Sequence, residues 1–266
     1  MTVAPTWTSS DVLHPHPSGF QQWLALTSRI LRIMAKGELI VALIVPLVFA
    51  LSFYLPLKYI MQARDVVDNY AQFVMPIIVL QSMGFTAMSA AQRAAFEALT
   101  GLNTRMQSMP VALLAPLAAR MASAFVRSLF AMIAAIGWGY LIGFRFAAVD
   151  QAIYFMAFVM AVGTVLALGA DAIGTLTESP EAVSQAITLP YLILGMLSSG
   201  FTPVSEFPDW IEPFVRNQPI SHFSYVLRDL SAGGVSVEVL TPALAWLIGL
   251  AVVLCPLGVW AGTRRG

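Results

Sequence analysis

The chain has 266 residues, 14 basic and 14 acidic, with 58% hydrophobic and only 11% charged residues. A soluble domain carries roughly 25% charged residues, so there is too little charge here to cover a water-facing surface, and the mean hydropathy of +0.78 agrees. Zero net charge excludes a general attraction to nucleic acid, and a single cysteine, Cys255, excludes an intrachain disulfide.

In chain order, residues 1–19 are polar and proline-rich, with no basic segment leading into an apolar core. They read as a disordered cytoplasmic tail, not a secretory signal, and His14 and His16 within it do not make a metal site. Next, Phe20, Trp23, Leu24, Thr27, Ile30, Leu31 and Met34 recur at helical spacing on one face, with Gln22, Arg29, Arg32 and Lys36 on the other. This predicts an amphipathic helix lying at the inner membrane surface. A soluble packing helix is the alternative, and the position directly before an apolar run favours the interfacial one.

A bilayer core needs about 20 mostly apolar residues in a helix. Charge-free runs of that size lie at 39–57, 69–92, 151–170, 182–205 and 239–263. A sixth, 128–144, reaches full length when extended back through Arg127 and Arg120 to near Pro116. Six helices place both termini on one side. The runs are continuous, not alternating, which excludes a barrel, because lipid forces every backbone group to be paired. Prolines 46, 56, 76, 190 and 256 fall inside the runs, where kinks are expected. With the N-terminus inside, nine Lys and Arg residues fall on the inner side and five on the outer, the bias expected for cytoplasmic loops.

Arg120 and Arg127 are seven residues apart and share a helix face. Arginine inside a span calls for a polar cavity or for snorkelling to the headgroups. The cavity reading makes that face an inner vestibule. Asp171 falls at the predicted end of the fourth span, and Glu178 and Glu181 in the loop after it, where solvated charge is the expectation. No metal-ligand spacing, nucleophile elbow, dinucleotide fingerprint or phosphate-binding loop is present. The chain has a transporter's body without an energy source of its own.

Two segments carry a resemblance: FEALTGLNTRMQSMPVALLAPLAAR at 96–120 and SSGFTPVSEFPDWIEPFVRNQPISHFSYVLRDLSAGG at 198–234. Both resemble the ABC-2 type permeases. LNTRMQSMP and PFVRNQPIS look closest to the B-type subunit of the daunorubicin-resistance permeases and their mycobacterial lipid-export relatives. The likeness runs from Phe20 onward. It implies an all-α permease domain over 20–266, a connecting helix over 20–38, and six spans within about 39–263. It also implies short outer re-entrant helices between spans five and six. The family's glycine nine residues before a proline is met by Gly101 and Pro110, whereas its common acid two before the glycine is Leu99 here, with Glu97 a turn earlier.

By resemblance, the inner loop holds a coupling helix that docks on a separate ATPase. A helix over 94–109 stopped by Pro110 is expected, with Glu97, Gly101, Arg105 and Pro110 as the coupling surface. Trp210, Arg216, Asn217, Pro219 and Arg228 belong to an outer cap. The implied machine is an exporter of amphipathic drugs or complex lipids in the plasma membrane. ATP and Mg are bound by the ATPase subunits, and a second permease, a related C-type chain or else a second copy of this one, completes it. Two other readings are a lipid-modifying membrane enzyme built on Asp209, Glu212, Arg216, Asn217 and His222, and a non-transporting scaffold subunit.

Overall fold

Ser18 opens the first helix by accepting from Gln21 N, while the Gln21 side chain accepts from Ser18 N. This reciprocal cap satisfies two of the donors that a helix start leaves free. The computed structural model describes residues 18–35, 37–63, 69–101, 112, 114–177 and 179–263. Every regular element among them is helical. The first helix, α1 (Gly19–Met34), buries Thr27 and Met34 and packs on α5 (Ala115–Ile142). Phe20, Leu24 and Ile33 remain exposed on it.

Helix α2 (Glu38–Phe49) runs through a π turn (Ala50–Tyr54) into α3 (Leu55–Ala63). The π turn lies between Pro46 and Pro56, neither of which can donate to the ladder, and the wider turn re-registers the helix around the missing bonds. Helix α4 (Tyr70–Leu99) follows, started by the Asn69 side chain accepting from Gln72 N. Then come α5, α6 (Val149–Thr175) and α7 (Pro180–Met196). A 3-10 turn (Val204–Glu206), α8 (Glu212–Asn217) and α9 (Pro219–Ala232) lead to α10 (Val237–Thr263).

Among the described residues, five helices are long and apolar enough to cross a membrane: Glu38–Ile60, Tyr70–Leu99, Ala115–Ile142, Val149–Thr175 and Val237–Thr263. The chain is a multi-pass helical membrane protein. The run expected over 182–205 is different, because its helix α7 has 17 residues and stops at Met196. The chain then turns, since residues 197–200 are held by side chains of α9 and its N-cap: Gln218 Nε2 donates to Leu197 O, and Ser199 N donates to Ser221 Oγ at 3.0 Å. These bonds replace the helical ladder there. The prolines of the outer segment break it into short helices as expected, with Pro219 in the first turn of α9.

Helix α4 is the hub. Of its most apolar window, 83% is buried inside the molecule, against 11% for α10. Lipid is as apolar as leucine, so helices associate in it through close packing and hydrogen bonds. At the end of the bundle where α1 packs, the inner one by the sequence expectation, α4 meets α6 through small residues, Ala87, Ala90, Ala91 and Ala95 against Ala167 and Ala170. Gly174 marks the tightest approach: a Cβ there would sit 2.1 Å from the Ala91 carbonyl oxygen. The outer half is filled by large side chains instead, with Phe144, Phe146 and Phe155 forming edge-on ring contacts at 4.9 and 5.2 Å.

Candidate functional site

At the same end, the one where α1 packs, α1, α2, α4, α5 and the start of α7 line an open cavity of about 1020 Å³. Both α2 and α7 pack on α4, and both contribute to the cavity wall. Its wall mixes apolar side chains from α2 with hydroxyls of α4, among them Thr86, whose Oγ1 lies 3.0 Å from Ser128 Oγ.

Charged residues from four helices form a network beside it. Glu38, at the start of α2, accepts from both Arg93 of α4 and Arg127 of α5. One turn on from Arg93, Glu97 lies 3.6 Å from Arg120 of α5. Arg120 in turn grips Asp171 of α6 with two bonds, Nε to Oδ1 at 2.8 Å and Nη2 to Oδ2 at 3.1 Å. This is the forked guanidinium–carboxylate geometry. Arg120, Arg127 and Asp171 are buried, and charges so placed persist because they are paired. Arg127 lines the large cavity, whereas Arg120 lies in a small adjoining cleft with Leu26, Ile30 and Pro116.

Three sequence expectations change. Asp171 is not at a helix end: α6 continues to Thr175, and the carboxylate is 1% exposed because Arg120 holds it inside. No separate helix begins at Ala94, since residues 94–99 are the last turns of α4, which stops at Leu99. Gly101 then takes φ +66, a left-handed conformation suited to glycine. Glu97 points inward, its side chain 13% exposed and directed to Arg120, so it does not present its charge at the surface. Arg105 and Pro110 lie outside the described residues. Glu38, Arg93 and Asp171 were missed as site residues. The available signal was charge inside apolar helices: an isolated Asp in one span is the natural partner of an isolated Arg in another.

The outer end is built differently. Arg228 of α9 donates through Nε to Phe73 O at 2.9 Å and through Nη2 to Ser199 O and Gly200 O at 2.5 and 2.8 Å. Its guanidinium stacks 3.5 Å from the centre of the Phe73 ring. Burial pushes this group down to about 10, so it stays charged at neutral pH. Tyr70 adds a bond from its hydroxyl to Phe201 O at 2.9 Å. The other residues expected in the cap are superficial. Trp210 is 79% exposed, Arg216 pairs with Glu212 one turn away, and Asn217 donates to Pro213 O at 2.8 Å. Asp209, Glu212, Arg216, Asn217 and His222 do not converge on a reaction centre. The contacts shown for Arg216 and Asn217 are local, and His222 stands edge-on to the Tyr225 ring. No cluster of metal ligands exists among the described residues.

Comparison with known proteins agrees with this architecture. A family profile described as ABC-2 family transporter protein matches residues 52–260. The doxorubicin resistance ABC transporter permease protein DrrB of Mycobacterium tuberculosis is 38% identical over 252 residues, covering 89% of this chain and 86% of that protein. The probable doxorubicin resistance permease DrrC of the same species is 26% identical over 253 residues, covering 92% and 88%. The daunorubicin resistance permease DrrB1 of Streptomyces coeruleorubidus is 24% identical over 227 residues, covering 83% and 77%. With five apolar helices, a match across most of its length and a cavity at one end of the bundle, the chain belongs to the ABC-2 family of transporter permeases.

Proposed function

We propose that the chain is the membrane half of an ATP-driven exporter for amphipathic drugs or complex lipids. The observation that carries this is the inner cavity, whose wall combines apolar, hydroxyl and charged side chains, in a chain of the ABC-2 family. The relatives named for doxorubicin and daunorubicin resistance support a hydrophobic, amphipathic cargo. In this reading α7 is a sixth, short span of about 26 Å at 1.5 Å per residue. Both termini then face the cytoplasm of a cell whose plasma membrane holds the protein. Residues 1–19 are a tail, and α1 is a connecting helix with its exposed apolar residues in the inner leaflet. ATP and Mg belong to separate ATPase subunits, and a related C-type permease is the second membrane chain, a pairing that the two mycobacterial relatives suggest.

Coupling runs through the segment after α4. Gly101, Arg105 and Pro110 contact the ATPase, and Glu97 works from behind, relaying movement of this segment to Arg120 and Asp171. An ATPase can shift a permease only through contacts that differ between its own states. Affinity purification of the tagged chain from its own cells is the test. The expected result is recovery of an ATPase and a second permease, with cells lacking the chain retaining more doxorubicin. A chain that purifies alone and modifies lipid in detergent would overturn the exporter reading.

A further inference from the structure

The charges on the cavity wall balance: Arg29, Arg93 and Arg127 stand with Glu38, Glu97 and Glu181. Glu38 already accepts from Arg93 and Arg127, and Glu97 lies against Arg120. The wall therefore selects neither an anion nor a cation. What it offers is a set of neutral polar groups. Ser89 and Gln92 stand one and two turns beyond Phe85 on α4, and Ser184 and Gln185 stand in the second turn of α7. Gln92 Nε2 donates to Ser184 Oγ at 2.8 Å, which joins the two helices in one polar surface. Gln92 and Gln185 are exposed and Ser89 is half-buried, so the cavity reaches them. Several protons of this surface are already spent. Ser89 Oγ donates to Phe85 O at 3.0 Å, and Thr100 Oγ1, further along the same wall, donates to Phe96 O at 2.9 Å. A hydroxyl has one proton and two lone pairs, so both keep acceptor capacity for a ligand, as does the Gln92 carbonyl oxygen. Beside these groups lies an apolar wall of Val45 and Pro46 from α2 with Phe85.

Resting on the exporter reading, we propose that this cavity binds an uncharged, hydroxyl-rich amphiphile of the glycosyl-lipid kind, its hydroxyls bonding to Ser89, Gln92 and Gln185 and its apolar part lying along Val45, Pro46 and Phe85. A charged headgroup entering here would lose hydration without gaining a free counter-charge. A sugar instead exchanges bonds to water for bonds to fixed acceptors, and each exchange is mildly favourable. The volume of about 1020 Å³ suits such a molecule, being at the upper edge of small-molecule sites. Apolar lining with a few placed polar groups is also how such sites fix the orientation of a ligand.

The test is binding by the purified full chain in nanodiscs of dioleoylphosphatidylcholine, whose zwitterionic headgroup competes throughout, read by native mass spectrometry. The probes are glucosyl dioleoylglycerol, dioleoylglycerol, dioleoyl phosphatidic acid, a dioleoyl trimethylammonium lipid and free glucose. The four lipids carry the same chains, so only the headgroup differs. The glucosyl lipid is expected to bind about tenfold more tightly than each of the other three, the scale of one or two added hydrogen bonds. Gln92→Leu and Gln185→Leu are each expected to weaken it about three- to tenfold while dioleoylglycerol binds as before or more tightly. A merely damaged fold would weaken both lipids, and Gln185 is exposed, so its replacement spares the packing. Val45→Ser on the apolar wall should weaken both lipids alike. Phosphatidic acid or the cationic lipid binding as tightly as the glucosyl lipid would overturn the uncharged class. Free glucose binding as tightly would show a sugar site and overturn the amphiphile. Equal losses for both lipids in Gln92→Leu and Gln185→Leu would overturn the assignment of the polar surface. A chain that recovers its ATPase yet fails these tests sinks this proposal alone; one that passes them without an ATPase partner sinks only the exporter reading.

Discussion

The two ends of the bundle use buried arginine in opposite ways. At the inner end Arg93, Arg120 and Arg127 face carboxylates, and Glu38 and Arg120 each serve two partners. At the outer end Arg228 faces three backbone carbonyls and an aromatic ring. Carboxylates sit on side chains, which can change rotamer and exchange partners without moving a helix axis. Carbonyls are part of the backbone, so a guanidinium that binds three of them fixes α4, the turn after α7 and α9 together. Packing follows the same division. Alanines leave room beside a cavity at the inner end, and interlocked aromatic rings fill the outer end. The inner end is thereby adaptable and the outer end a firm closure.

The sharpest way to break this comparison is at Asp171. Asp171→Leu leaves Arg120 buried with only Glu97 at 3.6 Å and is expected to destabilise the chain by about 3–5 kcal/mol, the cost of splitting a buried pair. Adding Arg120→Met should restore most of it, because two matched apolar residues need no partner. Thermal unfolding in detergent reads both. A double variant as unstable as the single one would show that the pair is not an exchangeable unit.

Arg228→Met should cost somewhat less, about 2–3 kcal/mol, since it strands neutral carbonyls and leaves no charge unpaired. No second substitution rescues it, because the acceptors are backbone atoms. Arg228→Lys should recover little, one ammonium being unable to reproduce the fork. Full recovery by lysine in the same unfolding assay would mean that charge, and not the three-way geometry, holds the outer end.

The smallest effect concerns pH. Burial lowers the His222 imidazole below its ordinary value, so the unfolded chain takes up a proton first as pH falls. Stability is therefore complete above the ordinary histidine range near pH 6.5 and is lost slightly as pH drops through the lowered value. His222→Gln should flatten this slope. An unchanged slope would place the titrating group elsewhere.

Much of this was legible in the sequence. The third helix, extended back through Arg127 and Arg120 to near Pro116, forms over Ala115–Ile142 because neither arginine breaks a helix and both find partners. The outer prolines predicted short helices for the same local reason. What stayed hidden was tertiary. Hydropathy marks where a helix can lie in lipid but not which charges will meet, so Asp171 read as a boundary when it is a buried partner. The end of the run over 182–205 depends on bonds to Gln218, Ser221 and Arg228, which no local window contains. Gly101 ended α4 earlier than the loop's polarity suggested, a backbone effect that periodicity does not register.

The centrality of α4 also sets a schedule for biogenesis. Ribosomes make the chain from its N-terminus, so α4 is synthesised before α5 and α6. In the finished bundle Gln81, Ser82 and Thr86 of α4 are buried, and α4 packs against α5, α6 and α7, all made after it. During synthesis they have only lipid or the translocon to face, and lipid is the worse host for arginine. Arg93 gains its Glu38 partner at once, because α2 precedes it. Arg120, by contrast, must wait for 51 further residues before Asp171 arrives. The span that organises the mature permease is thus made before most of the helices that cover it, while the longest wait for a charged partner falls to Arg120 of α5.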